Sequence, residues 1–189
     1  MKKSTFSFLL ISTALIGSIF GTSSCNKGQT NTTGVKQELI TGDMSFVVPM
    51  QLIGENDSMV AFYYKINMDS FVKSFDSKYD TASIRKVQFI SCTLTNSDFD
   101  VNNNFRNFHT ANIGITSATN HRILRIAAAM NIQDTAAYFL NVPNSYNPDL
   151  STYFKADSIC YRLYGNMRKG TTIPLNCKAT LTYEMTLVK

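Results

Sequence analysis

The last segment of the chain alternates with a period of two. Cys177, Ala179, Leu181, Tyr183, Met185 and Leu187 interleave with Lys178, Thr180, Thr182, Glu184 and Thr186. Such a pattern buries one face and wets the other, as in an antiparallel sheet, and is incompatible with the apolar recurrence of an amphipathic helix. Weaker versions of the signal occupy residues 43–48, 59–67, 84–95, 110–116, 122–130, 138–142 and 158–165. Val87, Phe89, Ile90, Cys92 and Leu94 place apolar residues on both faces, which predicts a central strand. Helical signals are short. Asp69 is expected to cap a turn with Phe71, Val72, Phe75 and Tyr79 on one side, and residues 150–154 after Pro148 read as another single turn. About seven to nine strands with one or two helical turns predict an all-β, two-sheet antiparallel β-sandwich. The final strand is expected to pair with residues 158–165 as a hairpin, through a loop holding Gly165, Asn166, Gly170 and Pro174.

The start of the chain obeys a different rule. Met1-Lys2-Lys3 is cationic, and residues 6–20 form an uncharged, mostly apolar run. A membrane-spanning helix needs about 20 apolar residues, so this run fits the core of an export signal, with Gly21, Thr22, Ser23 and Ser24 marking the cleavage region. Cys25 follows at once. A small-residue stretch ending in cysteine resembles the lipobox of bacterial lipoproteins, here with Thr22 where Leu is usual. The resemblance implies cleavage before Cys25, acylation of its thiol and residence as an outer-membrane lipoprotein. Several acyl chains anchor stably, at about 0.8 kcal/mol per buried methylene. The polar segment that follows has no aromatic residue and is expected to be a flexible tether. The expected division is therefore a signal at 1–24, a tether at 25–37 and one domain at 38–189. Surface-displayed lipoproteins of the group resembled carry an acidic run after the cysteine; here the first acid is Glu38, which favours the periplasmic face.

The order of elements carries a second resemblance. A strand ending in a short turn over residues 69–75 is followed by Ile84-Arg85-Lys86-Val87-Gln88-Phe89. Phe105 and Phe108 lead into Ala111-Asn112-Ile113, and a Thr-rich strand closes the chain. This pattern resembles small β-sandwich lipoproteins of unknown function from Gram-negative, gut-type anaerobes. The resemblance implies a fold and supplies no catalytic residue.

Loss of the signal takes Lys2 and Lys3 from 18 basic residues and nothing from 13 acidic ones, so the formal charge falls from +5 to +3. The charges are scattered singly along the sequence, and no nucleic-acid partner is expected. Cys92, Cys160 and Cys177 remain after lipidation, and an odd count leaves a thiol free. Cys160 and Cys177 flank the expected hairpin. Parity puts Cys177 on the core face with Leu181, while Ile159, Tyr161 and Leu163 claim that face and turn Cys160 away. Only a bulge near Pro174 would let the two meet. A disulfide and buried reduced thiols both remain open at this point.

Four tripeptides of Asp, Ser or Thr, then a small or aliphatic residue place hydroxyls at Ser58, Thr81, Thr135 and Ser158. They resemble O-glycosylation acceptors of the same bacterial group; the alternative is Asp-Ser/Thr turn chemistry. Asp98, Asp100 and Asn102 alternate in a loop and form a weak calcium candidate, although Asn103 and His109 stand where an EF-hand needs Gly and Glu. No CxxC or Cys/His spacing indicates a metal, and no cofactor is expected beyond the covalent lipid on Cys25. His109 and His121 are the only histidines and neither adjoins a nucleophile. Ser70-Phe71-Val72-Lys73 spells an SxxK without the companion motifs of penicillin-recognising enzymes. Tyr63, Tyr64, Tyr146, Tyr153 and Tyr164 are candidate sugar platforms in a chain without Trp, and alternation requires one of Tyr63 and Tyr64 to face outward. The expected function is a membrane-anchored, non-enzymatic binding or structural module with a glycan or envelope-protein partner. A fimbrial-type subunit and a small hydrolase are the alternatives.

Overall fold

The computed structural model describes residues 34–189, so Cys25 and most of the expected tether lie outside it. Among the described residues the strands are β1 (Val35–Ile40), β2 (Met44–Val48), β3 (Gly54–Lys65), β4 (Ile84–Asn96), β5 (Phe108–Ser117), β6 (Leu124–Ala129), β7 (Phe139–Pro143), β8 (Ser158–Met167) and β9 (Leu175–Leu187). One short helix, α1 (Met68–Lys73), and 3-10 turns at Thr81–Ser83, Phe105–Asn107 and Tyr153–Lys155 complete the chain. The strands form two antiparallel sheets, one in the order β1-β9-β4-β7 with β2 also on β9, the other in the order β3-β8-β5-β6. This is the expected all-β sandwich.

β9 is the spine of the first sheet because its alternation is the strongest. Leu175, Cys177, Ala179, Leu181, Tyr183, Met185 and Leu187 are all buried. β1 and β2 run along one side of it as a single interrupted lane, pairing Val35 with Leu187 and Val48 with Leu175. At the break, Thr41 donates its N–H to the Leu181 carbonyl and accepts the Leu181 N–H on its hydroxyl, both at 2.9 Å. The ladder thus loses no bond where the backbone steps aside. Phe46 of β2 stacks on Phe62 of β3, with ring centroids 4.4 Å apart, and so joins the sheets along one flank. An isolated bridge between Ala127 and Asn144 joins them along the other.

Several expectations are corrected. β8 and β9 do not form a hairpin: they lie in opposite sheets, and β8 pairs with β3 and β5. Each buries one face, and the two buried faces meet across the core, where Tyr183 of β9 bonds Tyr161 of β8. Cys160 points out of the core and Cys177 into it, and Cys92, Cys160 and Cys177 are free thiols. β4 is central in its sheet, between β9 and β7, as expected, but its apolar residues fall at both parities because its register shifts between Phe89 and Ser91. Val87 and Phe89 are buried before the bulge, Cys92 and Leu94 after it, and Ile90 is left 50% exposed. β1 begins at Val35, so the last residues of the expected tether are strand; only Leu39 of β1 is buried, which hid the pattern. Asn67, not Asp69, caps α1 by accepting the Ser70 N–H at 2.9 Å, and Asp69 pairs with Lys73 along the helix.

The sandwich has two unlike ends. At one, the loops after β4, β6 and β8 are tied by buried asparagines. Asn103 accepts the Thr172 N–H (2.7 Å), Asn104 accepts from Arg106 and Ala137 (both 3.1 Å), and Asn107 donates to the Gly170 carbonyl (3.1 Å). At the other end lie Gly34, α1, the starts of β4 and β8 and the end of β9.

Candidate functional site

The outward face of the β3-β8-β5-β6 sheet is built from cross-strand rows. Residues whose neighbours fill the core must themselves face solvent, and Phe62, Tyr161, Leu163 and Ile115 are buried. One outward row is Tyr63, Cys160 and Thr116; the next is Ala61, Arg162, Gly114 and Arg125. A cleft of about 480 Å³ opens over these rows, lined by Tyr63, Thr116, His121, Ser158, Cys160 and Arg162, with Ile123 at its side. Tyr63 is 64% exposed, while Tyr64 turns inward against the core. Gly114 keeps the floor low: a Cβ there would stand 3.0 Å from Ile123 Cγ2 and 3.3 Å from Tyr164 Cε1.

The electrostatics of the cleft are one-sided. Among the described residues no carboxylate lines it and none forms an ion pair with Arg162. The Nε of Arg162 is buried without a hydrogen-bond partner. A buried N–H left unmade costs about 1–3 kcal/mol, and more on a charged group; the guanidinium as a whole is half-buried, lines the cleft and has no counter-charge among the described residues. The Cys160 thiol is half-buried and donates to the Tyr161 carbonyl at 3.8 Å. Exposed aromatic carbon, hydroxyls on Thr116 and Ser158, and an unneutralised planar cation are the chemistry of a polar ring bearing an acid.

The structure brings Tyr63, His121 and Ser158 together out of the residues singled out in the sequence. Arg162, Arg125 and Gly114 were missed, although the alternation of Ile159, Tyr161 and Leu163 implies that Arg162 faces outward. The other candidates lie apart. Ser58 and Thr135 are exposed; Thr81 is half-buried, as is Ser158. Beside Thr81, Asp80 accepts the Ser83 N–H and hydroxyl, both at 3.0 Å, in a capping box, and Asp134 beside Thr135 pairs with Arg106 at 3.1 Å. In the loop of Asp98, Asp100 and Asn102, the carboxylates are turned inward: Asp98 accepts from Asn176 N (2.8 Å) and Nδ2 (2.9 Å), and Asp100 from Asn102 N (2.7 Å) and Asn103 N (3.0 Å). The Asn102 N–H holds the Asp100 carboxyl below the usual range. Among the described residues no three His, Cys, Asp or Glu gather as a metal site. His109 and Tyr146 are exposed away from the cleft, and Tyr153 is buried, donating to the Arg122 carbonyl at 3.0 Å.

Fold and cleft together define a two-sheet antiparallel sandwich with one open, cationic sheet face. No protein-family profile matches the chain, and no curated protein does. Among solved structures, a chain from Desmodium yellow mottle tymovirus is similar over 90% of this chain and 97% of its own, at 12% identity and a TM-score of 0.27. A likeness at that score carries no argument here.

Proposed function

We propose that the protein is a non-enzymatic binding module of the cell envelope, lipid-anchored through Cys25 on the periplasmic side of the outer membrane, and that the β3-β8-β5-β6 face binds an acidic glycan. The observation that carries the ligand class is Arg162, a guanidinium that lines the cleft without an ion-pair partner among the described residues, beside the exposed ring of Tyr63. A uronic-acid carboxylate would pair with that cation, while Tyr63 presents a flat apolar surface to the sugar ring. A charge-assisted bond of this kind is worth about 1.5–3 kcal/mol, or ten- to a hundred-fold in affinity. The anchor reading rests on the signal ending at Cys25.

Titration calorimetry with a uronic-acid oligosaccharide and its neutral counterpart tests the ligand. The acidic form is expected to bind at least ten-fold more tightly, with that preference lost in Arg162→Gln and both affinities reduced in Tyr63→Ala. Equal affinity for the two glycans, or none for either, sinks the reading. The anchor is tested separately: a Cys25→Ser chain is expected to leave the membrane fraction of its native host on a high-salt wash, which the acylated chain withstands.

A further inference from the structure

We infer that the end of the sandwich where the N-terminal segment enters is a docking surface for anionic lipid headgroups. A pocket of about 760 Å³ lies there, and Arg85, Lys86, Lys155 and Lys189 line it. These residues come from the start of β4, the Tyr153–Lys155 turn and the end of the chain, so they are scattered in sequence and gathered only by the fold. Asp149 is the one acid among the lining residues, and its oxygens are engaged by Val87 N (3.1 Å), Ser151 N (2.9 Å) and Ser151 Oγ (3.0 Å). Lys189 pairs with Asp76. Arg85, Lys86 and Lys155 form no ion pair among the described residues and are exposed.

Where the chain enters selects the occupant. A Cβ on Gly34 would lie 3.2 Å from Val188 Cγ2, and Val188 lines the pocket. The segment between Cys25 and Gly34 spans at most about 32 Å even when fully extended, at roughly 3.3–3.6 Å per residue. On the proposed lipid anchor, on which this inference rests, the basic end of the domain is therefore held within reach of the bilayer and its phosphates. Basic side chains near an anionic surface each strengthen binding several-fold, within about a Debye length of 8–10 Å. The domain would then sit with its asparagine-tied loops away from the membrane.

The test uses a chain beginning at Asn26, without the acyl group. It retains every strand pairing of the described sandwich and so folds without what precedes it. Co-sedimentation with vesicles of phosphatidylcholine containing phosphatidylglycerol is expected to exceed that with phosphatidylcholine alone by about ten-fold or more, and to fall as salt is raised. Arg85→Glu with Lys155→Glu is expected to abolish the difference, whereas Lys169→Glu at the opposite end leaves it unchanged. Circular dichroism confirms that each variant is folded. Equal sedimentation with both vesicles, survival of the difference in the double variant, or binding of inorganic phosphate without binding of vesicles would overturn the inference. Because no lipid is attached to this chain, the result does not depend on whether Cys25 is acylated.

Discussion

Tyr183 donates its phenol hydrogen to the Tyr161 oxygen at 2.8 Å, and both rings are fully buried. One belongs to β9 and the other to β8, so this bond crosses the gap between the two sheets. It sits among Phe89, Phe154 and Phe62, whose rings pack against the two tyrosines. A polar contact inside such an apolar layer fixes the relative position of the sheets more sharply than dispersion does, because its strength depends on distance and angle.

The pair should behave as a unit under mutation. Tyr161→Phe leaves the Tyr183 hydroxyl buried without an acceptor, and Tyr183→Phe leaves the Tyr161 oxygen without its donor. Each is expected to cost about 1–3 kcal/mol. The double Phe variant removes both polar atoms and is expected to cost clearly less than the sum of the singles. Urea denaturation of the four proteins measures this, and simple additivity would show that the hydroxyl pair contributes no coupling.

Alkali should unfold the protein from a defined pH. Burial pushes the Cys92 and Cys177 thiols up to about 12 from 9.0, and pushes the Tyr161 and Tyr183 phenols well above 10.0. These groups keep their protons in the folded protein after their unfolded counterparts have lost them, so the unfolded state binds fewer protons. Stability is therefore complete below pH 9, declines from there as the unfolded thiols ionise, and declines more steeply above pH 10. Each group contributes about 1.4 kcal/mol per pH unit within its window. Urea midpoints at pH 8, 9.5 and 10.5 should fall in that order, and a flat series would contradict the burial of these groups.

Thiol labelling should separate the three cysteines. Cys160 is half-buried in the cleft, whereas Cys92 and Cys177 are buried. A neutral aromatic disulfide reagent is expected to modify one thiol of the native unacylated chain beginning at Asn26, and all three after denaturation. A glycan seated on Tyr63 should slow the native reaction, because Cys160 is its cross-strand neighbour. Rapid labelling of Cys92 in the native protein would contradict the fold.

Gly165 tolerates no side chain. A Cβ there would stand 2.2 Å from the Thr110 carbonyl oxygen and 2.9 Å from its carbon, both backbone atoms of β5. Relief requires β5 and β8 to separate in the middle of their sheet. Gly165→Ala is expected to destabilise by about 3 kcal/mol or more, read from the thermal or urea midpoint, whereas Gly42→Ala, which meets nothing within 4 Å, should be nearly neutral.

The sandwich was legible because β8 and β9 each bury one face, and alternation records that directly. Partnership was not legible. Nothing in the side chains of β8 and β9 says whether two half-buried strands lie side by side or face to face, since both arrangements bury the same residues. The β4 bulge was misread for a related reason: a parity change at Ile90 looks, in one dimension, like a strand buried on both faces. At the cleft, alternation required one of Tyr63 and Tyr64 to face outward without saying which. Arg162 and Gly114 are adjacent to Tyr63 only through the β3-β8-β5 register. The basic end was invisible in the sequence because three separate segments supply it.

The β1-β2 lane also determines how this domain would carry a load. A pull on Gly34 along the strand axis loads together the rungs from Val35–Leu187 to Ile40–Thr182 and, through the Thr41 clasp, those of β2. Rungs loaded side by side share the force, whereas rungs opened one after another from an end do not. β1 and β2 are in this sense one half of a lap joint, and the spine strand β9 is the other.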